Sequence, residues 1–187
     1  MVPGNFPLGC FAIYLTTYET KDKSQYDSAG CLKWLNEFSE FYNQKLQFEI
    51  QRLRGIHPHA NIIYADYYNA ALPLYHHPTK FGFTGLKSCC GKGGPYNYNA
   101  SETCGKPGVL ACDDPSKYIS WDGLHLTEAA YGLIADVFKM SITITEVAFD
   151  FNIVKVFGLC KLSFELGFRS ELRITRVPFP VTITTIM

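Results

Sequence analysis

Residues 120–131 read SWDGLHLTEAAY, which places Asp122 three residues before His125 on a glycine-containing turn that opens a predicted helix. A carboxylate at this spacing can reach a ring nitrogen of the histidine, fix its tautomer and stabilise the imidazolium during acyl transfer. The second ring nitrogen is then free to accept a proton from a serine. The stretch therefore predicts two catalytic residues of a hydrolytic triad, Asp122 and His125. A solvated aspartate beside a helix-capping histidine is the structural alternative.

Regular elements are predicted upstream and downstream of this stretch. Apolar side chains recur at three- and four-residue steps in 30–54 and predict an amphipathic helix, with Asp27 or Ser28 as its N-cap. Its predicted inner face consists of Cys31, Leu35, Phe38, Tyr42, Leu46, Ile50 and Leu53. The run 60–66 predicts a short buried strand, and 127–139 a second helix capped by its first residue. A helix, a short loop and a buried strand indicate an α/β fold with a mainly parallel sheet.

The segments between these elements are predicted to be irregular. Residues 1–15 form an extended piece and a loop, 16–29 a polar loop, and 67–75 one or two helical turns that end near Pro73. Region 78–119 is rich in Gly, Cys, Tyr, Asn and Pro, which predicts a long loop. A loop of this length is uncommon in a domain unless it is functional or covalently held.

Four of the seven cysteines lie in that long loop, namely Cys89, Cys90, Cys104 and Cys112. Their spacing differs from that of zinc-binding pairs and no histidine joins them, so disulfides in an oxidising compartment are favoured over a metal site. Four cysteines allow three pairings, and all three stay open. The sequon Asn99-Ala100-Ser101 predicts N-glycosylation at Asn99 and agrees with secretion.

Asp66 and the histidines outside the predicted triad are the other polar side chains that could belong to a site. Asp66, at the carboxyl end of the predicted strand, is positioned to line a cleft. The histidines outside the triad are predicted to be exposed in loops: His57, His59, His76 and His77. No cofactor and no metal site is predicted.

Composition narrows the classes of function. The chain carries 17 basic and 17 acidic side chains, so charge alone gives no reason to expect nucleic acid or an anionic membrane as a partner. It contains no run of 18 apolar residues, so no membrane span is predicted. Residues 1–5 have neither a basic nor an apolar region of the kind that signal peptides need, so no signal peptide is expected at this terminus.

Residues 120–131, together with four upstream segments, resemble the plant GDSL esterase/lipase family, a branch of the SGNH hydrolase superfamily. The upstream segments read VPGNFPLGC at 2–10, GCLKWLN at 30–36, IYADYY at 63–68 and CCGKGGPYNYN at 89–99, in the order of the family. The resemblance covers residues 2–138 and implies the C-terminal portion of such a hydrolase. It also implies a secreted, extracellular protein, in agreement with the cysteine content.

The resemblance implies a particular fold and division of the chain. The fold is α/β, a partial SGNH-hydrolase-like three-layer sandwich with a mainly parallel sheet whose N-terminal strands are missing. Residues 1–139 form the C-terminal part of this hydrolase domain. Residues 140–187 show no resemblance and are rich in strand formers at 142–153 and 177–186. They are expected to be a divergent hydrophobic tail from an altered reading frame or retained non-coding sequence; an additional β element is the alternative.

The resemblance also implies what the site requires. A family member needs a serine in a Gly-Asp-Ser motif, and a glycine and an asparagine for the oxyanion hole, besides the Asp and His. The sequence contains no Gly-Asp-Ser and no Gly-x-Asn-Asp, so no nucleophile and no oxyanion-hole residue is assigned; Asp27-Ser28 is the nearest imitation and precedes a helix.

The expected function is therefore that of a carboxylic ester hydrolase, with a small-molecule ester as the substrate of the intact family. The chain is expected to be a fragment that is inactive alone. Two alternatives stay open. One is a secreted, disulfide-pinned binding module built on 78–119, and the other is a non-functional truncated gene product.

Overall fold

The structure, a computed structural model, describes the backbone of residues 1–150 and the side chains of residues 1–139. The helices are α1 (Ala12–Thr17), α2 (Lys33–Ile56), α3 (Tyr67–His76) and α4 (Glu128–Asp150), and the strands are β1 (Val2–Pro3), β2 (Tyr64–Ala65), β3 (Cys90–Gly91) and β4 (Leu110–Ala111). Short 3-10 helices cover Leu8–Cys10, Lys23–Gln25, Pro78–Phe81 and Pro115–Lys117. Met1–Thr143 form one compact unit.

The parallel pairing predicted from the helix–loop–strand order is present between β1 and β2. Val2 donates its N–H to the carbonyl of Ile63 at 2.7 Å, and Gly4 to that of Ala65 at 2.9 Å. The strand predicted over 60–66 is shorter than expected, and Ile63 is 37% exposed rather than buried. Within the described residues β2 has one neighbouring strand of two residues, so its ladder stays short. The fold is thus mixed α/β and mostly helical, and the three-layer sandwich stays a prediction.

The helix predicted over 30–54 is present as α2, but the prediction of its N-cap is wrong. Leu32 occupies the N-cap position and makes no side-chain hydrogen bond there. Asp27 instead closes the preceding turn, where its Oδ1 accepts the N–H groups of Ala29 at 2.9 Å and Cys31 at 2.8 Å. Asp27 is therefore a turn residue that positions Cys31 rather than a helix cap.

The inner face of α2 differs in part from the predicted one. Leu35 and Ile50 are buried as expected, whereas Phe38 and Tyr42 are 51% and 45% exposed. The buried stripe continues instead through three polar residues, Asn36, Ser39 and Asn43. Apolar periodicity could not find this stripe, because its members are polar side chains with hydrogen-bond partners: Asn36 and Asn43 bond to the N-terminal segment, and the Ser39 hydroxyl donates to the carbonyl of Leu35.

The buried amides of α2 hold the N-terminal segment against the helix. The Asn43 side chain accepts the N–H of Asn5 at 2.6 Å and donates to its carbonyl at 3.0 Å, which satisfies one backbone residue completely. Asn36 accepts the N–H of Gly9 at 2.8 Å. A Cβ at Gly9 would overlap the Leu32 carbonyl and the Asn36 amide, so only glycine allows this close approach. The sequence between β1 and α1 is thereby fixed to α2.

One buried cluster joins α1, α3, the start of α4 and the end of the long loop. It contains Phe11, Leu74, Tyr75, Phe83, Ile119, Leu126, Ala130 and Ile134. The cluster brings the residues on both sides of the Asp122–His125 turn, Ile119 and Leu126, into the core. The turn itself therefore projects from a buried base.

The helix α3 continues past Pro73, although the sequence predicts that it ends there. Pro73 has no N–H to donate to the carbonyl of Asn69, one turn earlier. Both residues lie on the exposed side of the helix, where water can satisfy that carbonyl, while Ala71, Leu74 and Tyr75 are buried. Burial of the inner side outweighs the lost hydrogen bond and carries the helix to His76.

The second predicted helix is also longer than expected. Thr127 caps α4 as predicted, because its hydroxyl accepts the N–H of Ala130 at 3.3 Å. The strand expected from Ile142 onward is wrong as far as Asp150, where the backbone is helical. Residues 133–150 contain no glycine or proline, so each further residue adds a helical hydrogen bond. Residues 151–187 lie outside the described part of the chain, and with them the strand predicted for 177–186.

The long loop 78–119 is held by two disulfides. Cys89 pairs with Cys112, and Cys90 with Cys104, which selects one of the three pairings left open by the sequence. A third disulfide, Cys10–Cys31, was not predicted, because its cysteines lie in two separate family-like segments. It is buried and ties the start of α1 to the start of α2.

Candidate active site

Asp122 and His125 form a hydrogen-bonded pair on the turn before α4. Nδ1 of His125 lies 2.7 Å from Oδ2 of Asp122. The other carboxylate oxygen, Oδ1, accepts the backbone N–H groups of Leu124 at 3.0 Å and His125 at 2.7 Å. One side chain thus closes the turn and also orients the imidazole, and the i, i+3 spacing seen in the sequence makes both contacts possible.

The electrostatics of the pair define the tautomer. Partial burial raises the pKa of Asp122, but the hydrogen bonds from the His125 ring and from the two backbone N–H groups outweigh it and hold this pKa below its ordinary value. An ionised carboxylate only accepts hydrogen bonds, so Nδ1 carries the proton that it receives. Nε2 of the neutral ring is then the unprotonated nitrogen, which is the form a general base requires.

The imidazole is open to solvent on its outer side. The side chain of His125 is 66% exposed, against 23% for that of Asp122. Among the described residues, no side chain is hydrogen-bonded to Nε2, and in particular no serine hydroxyl reaches it. The nearby Ser120 is buried, and its Oγ accepts the N–H of Gly123 at 3.0 Å. Ser120 therefore supports the turn.

Gly123 lets the chain turn between Asp122 and His125. Its φ of 98° lies in the left-handed region, and a Cβ at this position would overlap the ring of Tyr98. Its carbonyl accepts the N–H of Ile13 at 3.0 Å, which anchors the turn to α1. The turn is thus fixed by its own side chains, by α1 and by the long loop.

The disulfide-bearing residues of the long loop also support the turn through their backbone. Cys89 donates its N–H to the carbonyl of Ser120 at 3.0 Å, and Cys90 donates to that of Trp121 at 2.6 Å. Trp121 in turn donates its N–H to the carbonyl of His125 at 2.8 Å. Sequence reasoning missed this link, since about thirty residues separate the cysteines from the turn; the adjacent Cys89-Cys90 pair was the one available signal.

Asn99 and the four histidines outside the pair lie away from the Asp122–His125 turn in the sequence. Asn99 is half-buried, and its Oδ1 accepts the N–H of Ser101 at 3.0 Å and its hydroxyl at 2.8 Å. His57, His59 and His77 are exposed. His76 is exposed as well, but its Nε2 lies 3.2 Å from Oδ2 of Asp27, a hydrogen-bonded contact between residues 49 positions apart.

Asp66 lines an open cleft of about 230 Å³ between α2, β2 and α3. The other walls include Glu40, Asn43, Tyr64, Tyr68 and Asn69. Asp66 also caps α3, where its Oδ1 accepts the N–H of Asn69 at 3.1 Å. Burial raises the pKa of Tyr64 to about 12, with the charge of Asp66 adding to the effect.

Two further properties concern the described part of the chain. Within it, no three or more His, Cys, Asp or Glu side chains are grouped so that they could hold a metal ion. None of its helices is both long enough and apolar enough to cross a bilayer.

Comparison with known proteins identifies the family of the chain. The family model described as GDSL-like lipase/acylhydrolase matches residues 1–138. The GDSL esterase/lipase At1g28610 of Arabidopsis thaliana is 61% identical over 139 residues, which are 73% of this chain and 36% of that relative. The GDSL esterase/lipase At1g28600 of the same species is 57% identical over 139 residues, 73% of this chain and 35% of the relative.

A relative with a more specific name matches over the same extent. The sinapine esterase of Brassica napus is 51% identical over 138 residues, 72% of this chain and 36% of that relative. The chain thus spans about a third of the length of the curated relatives it matches.

Proposed function

The chain belongs to the GDSL esterase/lipase family, as its motifs predicted, and on that premise we propose that Asp122 and His125 are the acid–base half of a carboxylic ester hydrolase site. The observation that carries the proposal is the 2.7 Å hydrogen bond between Nδ1 of His125 and Asp122, which leaves Nε2 unprotonated. The exposure of the ring supports it, because a general base must meet both a nucleophile and a substrate.

The chemistry follows from these positions. Nε2 of His125 takes the proton from a serine hydroxyl as its oxygen attacks the ester carbonyl, and the imidazolium is stabilised by ionised Asp122. The proton then passes to the leaving alcohol, and an acyl-enzyme remains. Water then attacks the acyl carbon and gives a proton to the same nitrogen, and His125 passes that proton to the serine oxygen as the acid leaves.

The nucleophile and the oxyanion donors belong to the Gly-Asp-Ser and Gly-x-Asn-Asp motifs, which this sequence does not contain. The chain alone is therefore proposed to have no esterase turnover. The substrate class is a small carboxylic ester, such as an acyl lipid, an acetylated sugar or a phenolic ester. Fourteen Phe and twelve Tyr residues mildly favour an apolar or flat acyl group.

A chimeric enzyme tests this function. Residues 1–138 replace the matched segment of At1g28610, and hydrolysis of a short-chain nitrophenyl ester is measured. We expect an active enzyme in which His125→Ala lowers kcat roughly 10⁴-fold or more, because the base is removed.

The matched control for this test is His57→Ala, which changes an exposed histidine far along the sequence and is expected to leave kcat unchanged. A folded chimera that lacks activity, or whose activity survives His125→Ala, would refute the assignment. The chain by itself provides a second control, since its background hydrolysis should be the same with and without His125→Ala.

The remaining features of the family are proposed on the same basis. They are an SGNH-type three-layer sandwich in the whole hydrolase, passage through the secretory pathway, and glycosylation at Asn99. Three disulfides support the oxidising compartment. A mass increase that endoglycosidase removes and Asn99→Gln abolishes, after expression in plant cells, would establish the glycan and the route together.

A ligand-binding role without turnover is the second candidate. Two disulfides hold the long loop, and Tyr98 packs against the turn that bears the catalytic pair. A rigid loop beside an open imidazole could retain an ester without cleaving it. Saturable binding of an uncleaved ester to the chain alone, lost on Tyr98→Ala, would favour this role.

A further inference from the structure

Asp122 is followed by a glycine, and this dipeptide is the one Asp-Gly in the sequence. The backbone nitrogen that follows an aspartate can attack the side-chain carbon Cγ, and glycine obstructs this attack least because it carries no Cβ. Yet glycine is required here, since a Cβ at position 123 would overlap the ring of Tyr98. The turn thus needs a glycine at the very position where glycine leaves the aspartate open to attack.

The reaction of this dipeptide needs no reagent other than water. The nitrogen of Gly123 bonds to Cγ of the protonated Asp122 side chain, and the carboxyl hydroxyl leaves as water with the amide proton. A five-membered succinimide ring remains. Water then opens the ring at either carbonyl, and opening at the backbone carbonyl of Asp122 gives isoaspartate, in which the main chain runs through the former side chain. The carboxyl carbon that faced His125 would then belong to a peptide bond.

The folded turn engages the attacking nitrogen in a hydrogen bond. The N–H of Gly123 donates to Oγ of Ser120 at 3.0 Å, and Ser120 is only 6% exposed. The backbone of Ser120 is fixed as well, because its carbonyl accepts the N–H of Cys89 at 3.0 Å. For ring closure the nitrogen must lose its proton and rotate toward Cγ, so the Gly123–Ser120 hydrogen bond has to break in a local opening of the turn.

The carboxyl group of Asp122 is restrained by the same turn. Its Oδ1 accepts two backbone N–H groups, and its Oδ2 lies 2.7 Å from Nδ1 of His125. These hydrogen bonds hold the pKa of Asp122 below its ordinary value, so the group is ionised at neutral pH. An ionised carboxylate has no hydroxyl to release as water and is a weak electrophile. The fold therefore restrains both groups that take part in ring closure.

We propose that Asp122 is a site of spontaneous aspartate isomerisation and that the hydrogen bond from Gly123 to Ser120 suppresses this reaction in the folded chain. Ser120 then has a protective role besides its support of the turn. The inference goes beyond the proposed function, because the reaction takes place in the chain alone and is detected without an activity assay. Only its consequence for catalysis, the loss of the carboxylate that orients His125, rests on that function.

The experiment follows the chemical ageing of the full chain with its three disulfides formed. The protein is kept in warm, neutral buffer for several weeks, and isoaspartate at position 122 is quantified by electron-transfer fragmentation of the peptide that contains it. We expect Ser120→Ala to accumulate isoaspartate roughly fivefold faster than the unchanged chain, which is the factor for about one lost hydrogen bond. The unchanged chain unfolded in urea gives the rate without any protection by the fold.

The matched control is Ser39→Ala, which removes another buried hydroxyl, one that donates to the carbonyl of Leu35 in its own helix at 3.1 Å. It should leave the rate at Asp122 unchanged. Asp27-Ser28 is the internal reference, because it is a second aspartate followed by a small residue and lies on a different turn. Its rate should stay constant in Ser120→Ala, which separates the loss of one hydrogen bond from general unfolding.

Three outcomes would overturn the inference. One is an equal rate at Asp122 in the unchanged chain and in Ser120→Ala. Another is a rate in the folded, unchanged chain as high as in urea, since the fold would then give no protection. The third is an equal rise at Asp122 and Asp27 in Ser120→Ala, which would show a general loosening of the chain. A rise confined to Asp122 supports the inference, whether or not the chimeric enzyme is active.

Discussion

Asp122 serves two purposes at the scale of a single residue, one with each carboxylate oxygen. Oδ1 closes the turn through two backbone N–H groups, and Oδ2 orients the imidazole. An asparagine could keep the first function with its amide oxygen, but its NH₂ group would then face Nδ1. The ring would be driven to the tautomer that carries its proton on Nε2, the nitrogen that must accept one.

We therefore expect Asp122→Asn, in the chimeric enzyme, to lower kcat roughly 10⁴-fold with little change in KM. Steady-state kinetics with a nitrophenyl ester measure both constants. Asp114→Asn is the matched control, because Asp114 also closes a turn, accepting the N–H of Ser116 at 3.1 Å, but lies on a different turn from Asp122 and His125. An equal loss in both variants would show that the effect is structural.

The depressed pKa of Asp122 also predicts a dependence of stability on pH. The carboxyl is a stronger acid in the folded chain than in the unfolded chain, so its ionisation stabilises the fold above the unfolded pKa of about 4. That contribution is lost as the pH falls through the lowered, folded pKa. Urea unfolding between about pH 6 and pH 3 should show a smaller loss of unfolding free energy for Asp122→Asn than for the unchanged chain. Parallel curves would contradict the shift.

Only glycine fits at position 123. We expect Gly123→Ala to lower the unfolding free energy by about 2 kcal/mol or more, from the left-handed φ and from overlap with Tyr98. In a Tyr98→Ala background only the backbone strain should remain, about 1 kcal/mol. Gly132→Ala, in α4 with open space around it, should be neutral or stabilising. Urea unfolding of these variants measures the differences.

The local part of the site could be predicted from the sequence, and the distant part could not. Asp122 and His125 are three residues apart, and the covalent geometry of one turn brings them together. The Asp27–His76 pair and the backbone bonds from Cys89 and Cys90 join segments far apart in sequence. Such contacts depend on how the core packs. The periodicity of the sequence cannot predict them, because it reports only on neighbours within one helix or strand.

At the scale of elements, α2 shows where pattern reasoning succeeds and where it fails. The helix follows from its apolar spacing, yet the residues buried along it include Asn36 and Asn43, which hold backbone groups of the N-terminal segment. Buried amides of this kind look like surface residues in a hydrophobicity pattern. The predicted inner residues Phe38 and Tyr42 are 51% and 45% exposed, because none of the described elements covers that side of the helix.

The three disulfides differ in burial, which predicts an order of reduction. Cys10 and Cys31 are both fully buried, whereas Cys104 and Cys112 are half-buried. A thiolate must reach a sulfur atom to open the bond, so the two disulfides of the long loop should open first under dithiothreitol. Timed alkylation followed by peptide mass spectrometry reads the order. Opening of Cys10–Cys31 first would contradict the burial of that bond.

At the scale of the whole molecule, the backbone hydrogen bonds from Cys89 and Cys90 link the position of the Asp122–His125 turn to the formation of two disulfides. A newly made polypeptide in a reducing compartment would lack the Cys89–Cys112 and Cys90–Cys104 disulfides. The long loop would then hold the turn less rigidly, and the orientation of the His125 ring would be less well defined. Export to an oxidising environment would then complete the alignment. Cystine formation would therefore be the step that fixes the position of the His125 ring.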